Sequence, residues 1–99
     1  MMFVNKPKFE TRGINESLCV DYKIFIWNLI NRLSEKMELD YLQVFEFSIE
    51  DGTQKIIHRQ EVPEYEKSYT IPKVNEGIEG KVFVIDDGDY CTMLWANEY

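Results

Sequence analysis

KVFVIDDGDYCTMLWANEY, residues 81–99, is the stretch that decides the fold. Two runs rich in β-branched and aromatic residues flank an acidic Asp-Gly pair. That is the strongest short-range hairpin signature, because a tight turn needs residues that tolerate positive φ. The strands read as residues 81–86 and 89–95, around Asp87 and Gly88. The same chemistry recurs upstream, where residues 41–49 and 54–62 bracket Asp51 and Gly52. A two-residue turn there places Ile49 opposite Gln54, Phe47 opposite Ile56, Phe45 opposite His58, Gln43 opposite Gln60 and Tyr41 opposite Val62, all on one side of the sheet. The other side carries Glu46, Lys55, Arg59 and Glu61 as a solvated charge lattice. A short strand at 68–71 sits between Pro63 and Pro72, which suit edge or connecting positions.

Before the hairpins lies one long helix. From Leu18, the apolar residues Tyr22, Phe25, Ile26, Leu29, Ile30, Leu33 and Met37 follow i, i+3, i+4 spacing, the pattern of a single buried stripe. The helix is expected over residues 17–36, capped by Asn15 or Ser17. Val20, Ile24 and Trp27 fall on its opposite side, where a surface helix is normally polar. Either the N-terminal segment with Phe3 and Val4, or the C-terminal tail, folds over them, or they form a partner or dimer surface centred on Trp27.

The chain has 99 residues, 44% of them apolar and 29% charged, which places it in the globular class as one domain over residues 1–99. No signal peptide or membrane span is evident, so a cytoplasmic protein is expected. Cys19 and Cys91 lack any paired or metal-binding spacing. Residues 1–37 hold six Lys/Arg against four Asp/Glu, whereas residues 38–99 hold five against fourteen. The acidity of this second half disfavours direct contact with duplex DNA and favours a basic protein partner.

Three groups of residues invite chemistry. His58 with Gln43 and Gln60 forms a polar cluster on the apolar side of the sheet. A neutral imidazole there could bind a ligand or move a proton, although hydrogen bonding alone explains it. Asp86, Asp87 and Asp89 gather at one hairpin tip, but turn chemistry accounts for them, and the residues that follow do not continue a calcium-loop pattern. No metal or cofactor is expected. Glu61, Glu64 and Glu66 around Tyr65, with Glu76 and Glu79 further on, offer charge and aromatic contact to a basic partner.

TRGINES at 11–17, FIWNLI at 25–30, DYLQVF at 40–45, IIHRQEVPEY at 56–65 and the closing 81–99 stretch together resemble a family of small uncharacterised proteins of low-GC Gram-positive bacteria and their phages, domain of unknown function 960. The resemblance implies no catalytic residue, cofactor or substrate. It does imply a cytoplasmic protein with a phage association.

The fold expected is therefore α+β, with one long amphipathic helix packed on an antiparallel sheet of four to five strands built from the two Asp-Gly hairpins. Its leading function is a non-enzymatic acidic protein-binding module. In a sharper form it is a phage-type inhibitor of a nucleic-acid-processing protein, such as an anti-CRISPR or DNA-mimic protein. The partner-binding residues on this reading are Val20, Ile24, Trp27, Glu61, Glu64, Tyr65, Asp86, Asp87 and Asp89. A small ligand-binding protein or enzyme at Gln43, His58 and Gln60 is the alternative, and a homodimer through the Trp27 face is the third reading.

Overall fold

The computed structural model describes residues 2–72 and 77–99. Strand β1 (Lys8–Glu10) leads through helix α1 (Arg12–Ser17) into helix α2 (Val20–Ser34). There follow β2 (Leu42–Glu50), β3 (Thr53–Gln60), β4 (Tyr65–Ile71), β5 (Gly80–Asp86), β6 (Cys91–Trp95) and a 3-10 turn at Ala96–Glu98. The six strands form one sheet in the order β1-β6-β5-β2-β3-β4. It is mixed, because β1 runs parallel to β6 while every other pair is antiparallel. The α+β class holds, but among the described residues the expected four or five strands are six and the antiparallel sheet has a parallel edge.

Local chemistry explains the elements. Asp51 and Gly52 have φ of 51° and 75°, the left-handed pair that a two-residue turn matching the strand twist requires. Ile49 accordingly pairs with Gln54, Phe47 with Ile56 and Phe45 with His58. At the second hairpin the connection is wider than the sequence suggests. Asp86 pairs with Cys91, leaving the four residues 87–90 as the turn, with Gly88 at φ 99°. Strand β4 is likewise longer than residues 68–71 and pairs along β3 from Gln60–Tyr65 to Gln54–Ile71.

The expected long helix is present as α2, starting at Val20 rather than residue 17, and a separate short helix, α1, precedes it. Thr11 Oγ1 caps α1 by accepting from the Ile14 N–H at 3.3 Å, Leu18 and Cys19 are extended, and α2 starts without a side-chain cap. Ser17 does not cap α2, because its hydroxyl donates to the Gly13 carbonyl at 2.6 Å and accepts from Trp95 Nε1 at 2.9 Å. Both helices lie on one side of the sheet. Ile14, Leu18, Ile26, Leu29 and Ile30 share a buried cluster with Phe45, Phe47, Ile56, Val82, Val84 and Met93. Each such side chain contributes roughly 1.5–3 kcal/mol by leaving water.

The two ends of the described chain are fastened together. Beyond the β1–β6 pairing, Thr11 Oγ1 and the Trp95 N–H both donate to Glu98 Oε1 at 2.8 Å, and Trp95 Nε1 also reaches the Gly13 carbonyl at 3.2 Å. A Cβ at Gly13 would lie 2.6 Å from Glu98 Oε2, so any side chain there would push the Glu98 carboxylate out of this position.

Candidate functional site

The strand registers bring two acidic turns to the same end of the sheet. Strand β3 ends at Gln60 and β4 begins at Tyr65, while β5 ends at Asp86, next to the start of β2, where the Asp86 N–H donates to the Tyr41 carbonyl at 2.9 Å. Residues 61–64 and 87–90 therefore border one rim, about three strand spacings or ~14 Å apart. Glu61, Glu64, Asp87 and Asp89 are all exposed on it. Arg59, Gln60, Glu61, Glu64, Tyr65 and Glu66 line an open depression of ≈ 660 Å³ at one side. Two carboxylates that the sequence did not single out join the rim. Glu38 is exposed on the chain leading from α2 into β2, and the half-buried Asp40 clamps the neighbouring turn by accepting from the Val62 N–H at 3.2 Å.

Asp86 departs from its neighbours. It is 6% exposed and turned inward, so it is unavailable to a partner, and the expected trio of tip carboxylates is a pair. Lys6 Nζ donates to its two oxygens at 2.9 and 2.7 Å, and the N–H groups of Phe3 and Gly88 donate to it at 2.7 Å each. Burial opposes ionisation, but the Lys6 bond and then the two backbone donors outweigh it and hold the carboxyl below its usual range. Phe3, expected over the Trp27 patch, is instead fully buried in the main core through this anchor. Among the described residues, no three His, Cys, Asp or Glu side chains converge as a metal ion would require.

The polar cluster on the inner face is hydrogen-bonded throughout except at His58 Nδ1, which is buried with no partner among the described residues. Gln60 accepts from the Asp40 N–H at 3.0 Å and from Gln43 Nε2 at 2.8 Å, and it donates to the Glu38 and Pro63 carbonyls. Gln43 Nε2 also donates to the Asp40 carbonyl at 2.8 Å. Gln43 Oε1 is thus the atom that faces His58 Nε2, at 2.6 Å, and only an Nε2–H imidazole satisfies it. The ring stacks on Phe45 at 4.3 Å and meets the edge of Tyr65 at 5.7 Å. His58 is 0% exposed, and burial lowers its pKa from 6.5 to about 4. It is held neutral and away from solvent, which suits it to fixing the loops at 38–40 and 61–63 through Gln43 and Gln60. Gln54, also buried, does the same for another loop, exchanging bonds with the Ile78 N–H at 2.8 Å and the Ile78 carbonyl at 3.0 Å.

On α2, Val20 and Ile24 are 62% and 51% exposed, whereas Trp27 is half-buried. Strand β1 is what covers it. Trp27 Nε1 donates to Glu10 Oε2 at 3.2 Å, and Lys8 Nζ lies 5.9 Å from the ring centre. The Trp27→Phe change should cost about 1 kcal/mol through the lost hydrogen bond. Trp27→Ala should cost about 3 kcal/mol through lost packing. Urea unfolding of the two variants reads both. A smaller loss for Ala than for Phe would show that β1 does not pack on the ring.

A family of Staphylococcal proteins of unknown function, DUF960, matches residues 7–98. The chain belongs to the DUF960 family. A crystal structure of a protein of unknown function from Enterococcus faecalis is similar over 100% of this chain and 96% of its own, with 22% identity and a TM-score of 0.87. At that identity the likeness shows that the DUF960 chain shares this fold. No curated protein matches it. Among the described residues, no helix of this DUF960 member is long and apolar enough to cross a membrane.

Proposed function

We propose that the chain is a non-enzymatic acidic module that binds the basic surface of another protein through the rim formed by Glu61, Glu64, Tyr65, Asp87 and Asp89. The observation that carries this reading is the register of the sheet, which gathers acidic turns distant in sequence at one end of the molecule. Little positive charge competes there, because Lys6 is engaged by Asp86 and Arg59 lies 3.6 Å from Glu46. Tyr65 adds a ring to the charge, a residue type favoured at interface centres. A basic groove that normally holds nucleic-acid phosphates is the partner best matched to such carboxylates, which is the basis for an inhibitor of a nucleic-acid-processing protein. The exposed Val20 and Ile24 provide an apolar contact on a separate face.

The test is capture of partners from a nuclease-treated Gram-positive lysate at low and high salt. The wild type is compared with the variant Glu61→Lys, Glu64→Lys, Asp87→Lys, Asp89→Lys. A stoichiometric basic partner should be retained by the wild type at low salt, fall at least ~10-fold in high salt, and be lost by the variant. Retention of the same partner by the variant would end the reading.

A further inference from the structure

The face of the sheet turned away from the helices mixes apolar and charged side chains. Alternation along β6 puts Cys91 and Met93 in the core, so Thr92 and Leu94 face the other side, where Leu94 is already 8% exposed, and the registers carry Phe9 and the half-buried Phe83, Val44 and Ile57 to the same side. Phe9 is 53% exposed and Tyr90, set edge-on against it at 5.6 Å, is 41% exposed. Tyr99 packs on Phe83 at 5.9 Å and is itself 76% exposed. Among the described residues, no helix covers this side. An antiparallel sheet can leave one face to water, but that face is then polar, and here its centre is aromatic and aliphatic.

We infer that this outer face is a self-association surface, occupied by the outer face of a second copy of the chain. Charge selects that occupant. The chain as a whole carries −7, so two copies repel over most of their surface. On this face Lys55, Arg59 and Lys81 are matched by Glu46, Glu50 and Glu66; Glu46 is bracketed by Arg59 and Lys81 at 3.6 Å each, and Glu50 lies 3.5 Å from Lys55. The acid excess is therefore absent where the apolar side chains are, and two such faces meet without net repulsion. Being one patch that meets its own copy, the contact closes as a two-fold dimer. Packing of two sheets face to face also has ordinary geometry, with inner side chains interdigitating ~10 Å apart. Six strands at ~4.8 Å spacing and ~20 Å length give a planar footprint of roughly 500 Å² per copy. That lies below the ~800 Å² per partner of a standard stable interface, so the dimer is weak and concentration-dependent. The rim carboxylates Glu61, Glu64, Asp87 and Asp89 lie at the end of the sheet, so substitutions there and on the outer face test the two readings separately, with Arg59 and Glu66 bordering both.

Sedimentation velocity of the whole chain from ~1 to ~500 μM tests it. The wild type should pass from monomer to dimer mass over that range. Val44→Glu at the centre of the face and Phe9→Glu at its exposed margin should each raise Kd at least ~10-fold. Ile24→Glu, on the exposed side of α2, should leave it unchanged. If Val44→Glu fails to fold, Phe9→Glu decides, since that ring stands largely in solvent. A wild type that stays monomeric at the highest concentration overturns the inference. So does a dimer that survives both outer-face substitutions, or one that Ile24→Glu alone abolishes.

Discussion

Replacing Asp86 with Ala is expected to destabilise the domain by about 3–5 kcal/mol, the cost of leaving a buried charge partner and its donors unmatched. The carboxylate is the meeting point of three donors that approach from the N-terminal segment and from the 87–90 turn. Without it the Phe3 N–H is buried and unpaired, and nothing offsets the φ of 66° at Phe3, a conformation that costs a bulky residue roughly 1–2 kcal/mol. The Phe3 ring then leaves the core and opens a cavity beneath it. At 4–8 °C per kcal/mol for a domain of this size, the midpoint should fall by about 15–30 °C in a thermal melt followed by circular dichroism. Phe3→Ala should produce a loss of similar size, and the double variant should lose much less than the two together. Strict additivity would show that Asp86 and Phe3 do not act as one anchor.

Acidification is expected to destabilise the protein well before its carboxylates titrate. His58 is neutral when folded, with a pKa of about 4, whereas in the unfolded chain it takes a proton near 6.5. The unfolded state therefore binds more protons below pH 6.5. Stability is whole above that value, drains as pH falls, and has lost about 3 kcal/mol by pH 4. Between pH 6.5 and 5 the loss should be about 2 kcal/mol, and His58 is the one histidine in the chain to supply it. Asp86 adds to the trend further down, because its depressed pKa gives stability present above the ordinary carboxylate value and lost as pH falls through the folded one. His58→Gln can still donate to Gln43 Oε1 but cannot titrate. Its melting temperature should be lower at pH 7 and nearly flat from pH 6.5 to 5. Equal slopes in the two proteins would assign the acid sensitivity to other groups.

The parts of this fold that were legible beforehand are those governed by local chemistry. Asp51 and Gly52 announce their turn because few residues accept positive φ twice in succession, and the two-residue period then carries the pairing from Ile49 back to Phe45. Strand β1 was not legible, since three residues, Lys8–Glu10, leave no room for a period and its partner lies more than eighty residues away. That omission also left Trp27 looking uncovered. The start of α2 at Val20 was hidden because Ile14 and Leu18 continue the helical spacing ahead of it. At the candidate site each acidic residue was readable as an exposed charge, except Asp86, whose burial depends on Lys6 and Phe3. The rim as a whole was not readable, because strand order, which alternation within a strand does not encode, is what brings Glu61, Asp87 and Glu38 to one end.

The fastening of residues 8–17 to residues 91–98 sets an order of events during synthesis. As the chain leaves the ribosome, β2, β3 and β4 can pair with one another as soon as they emerge, since their turns are short. Strand β1 and helix α1 are made earlier yet have nothing to pair with until Cys91–Trp95 and Glu98 arrive. Until then the apolar side chains of Ile14, Leu18 and Phe3 lack the strand that closes over them. The native sheet is thus completed only after translation of its last strand, and a stalled or prematurely ended chain would present those side chains to the quality-control machinery of the cell.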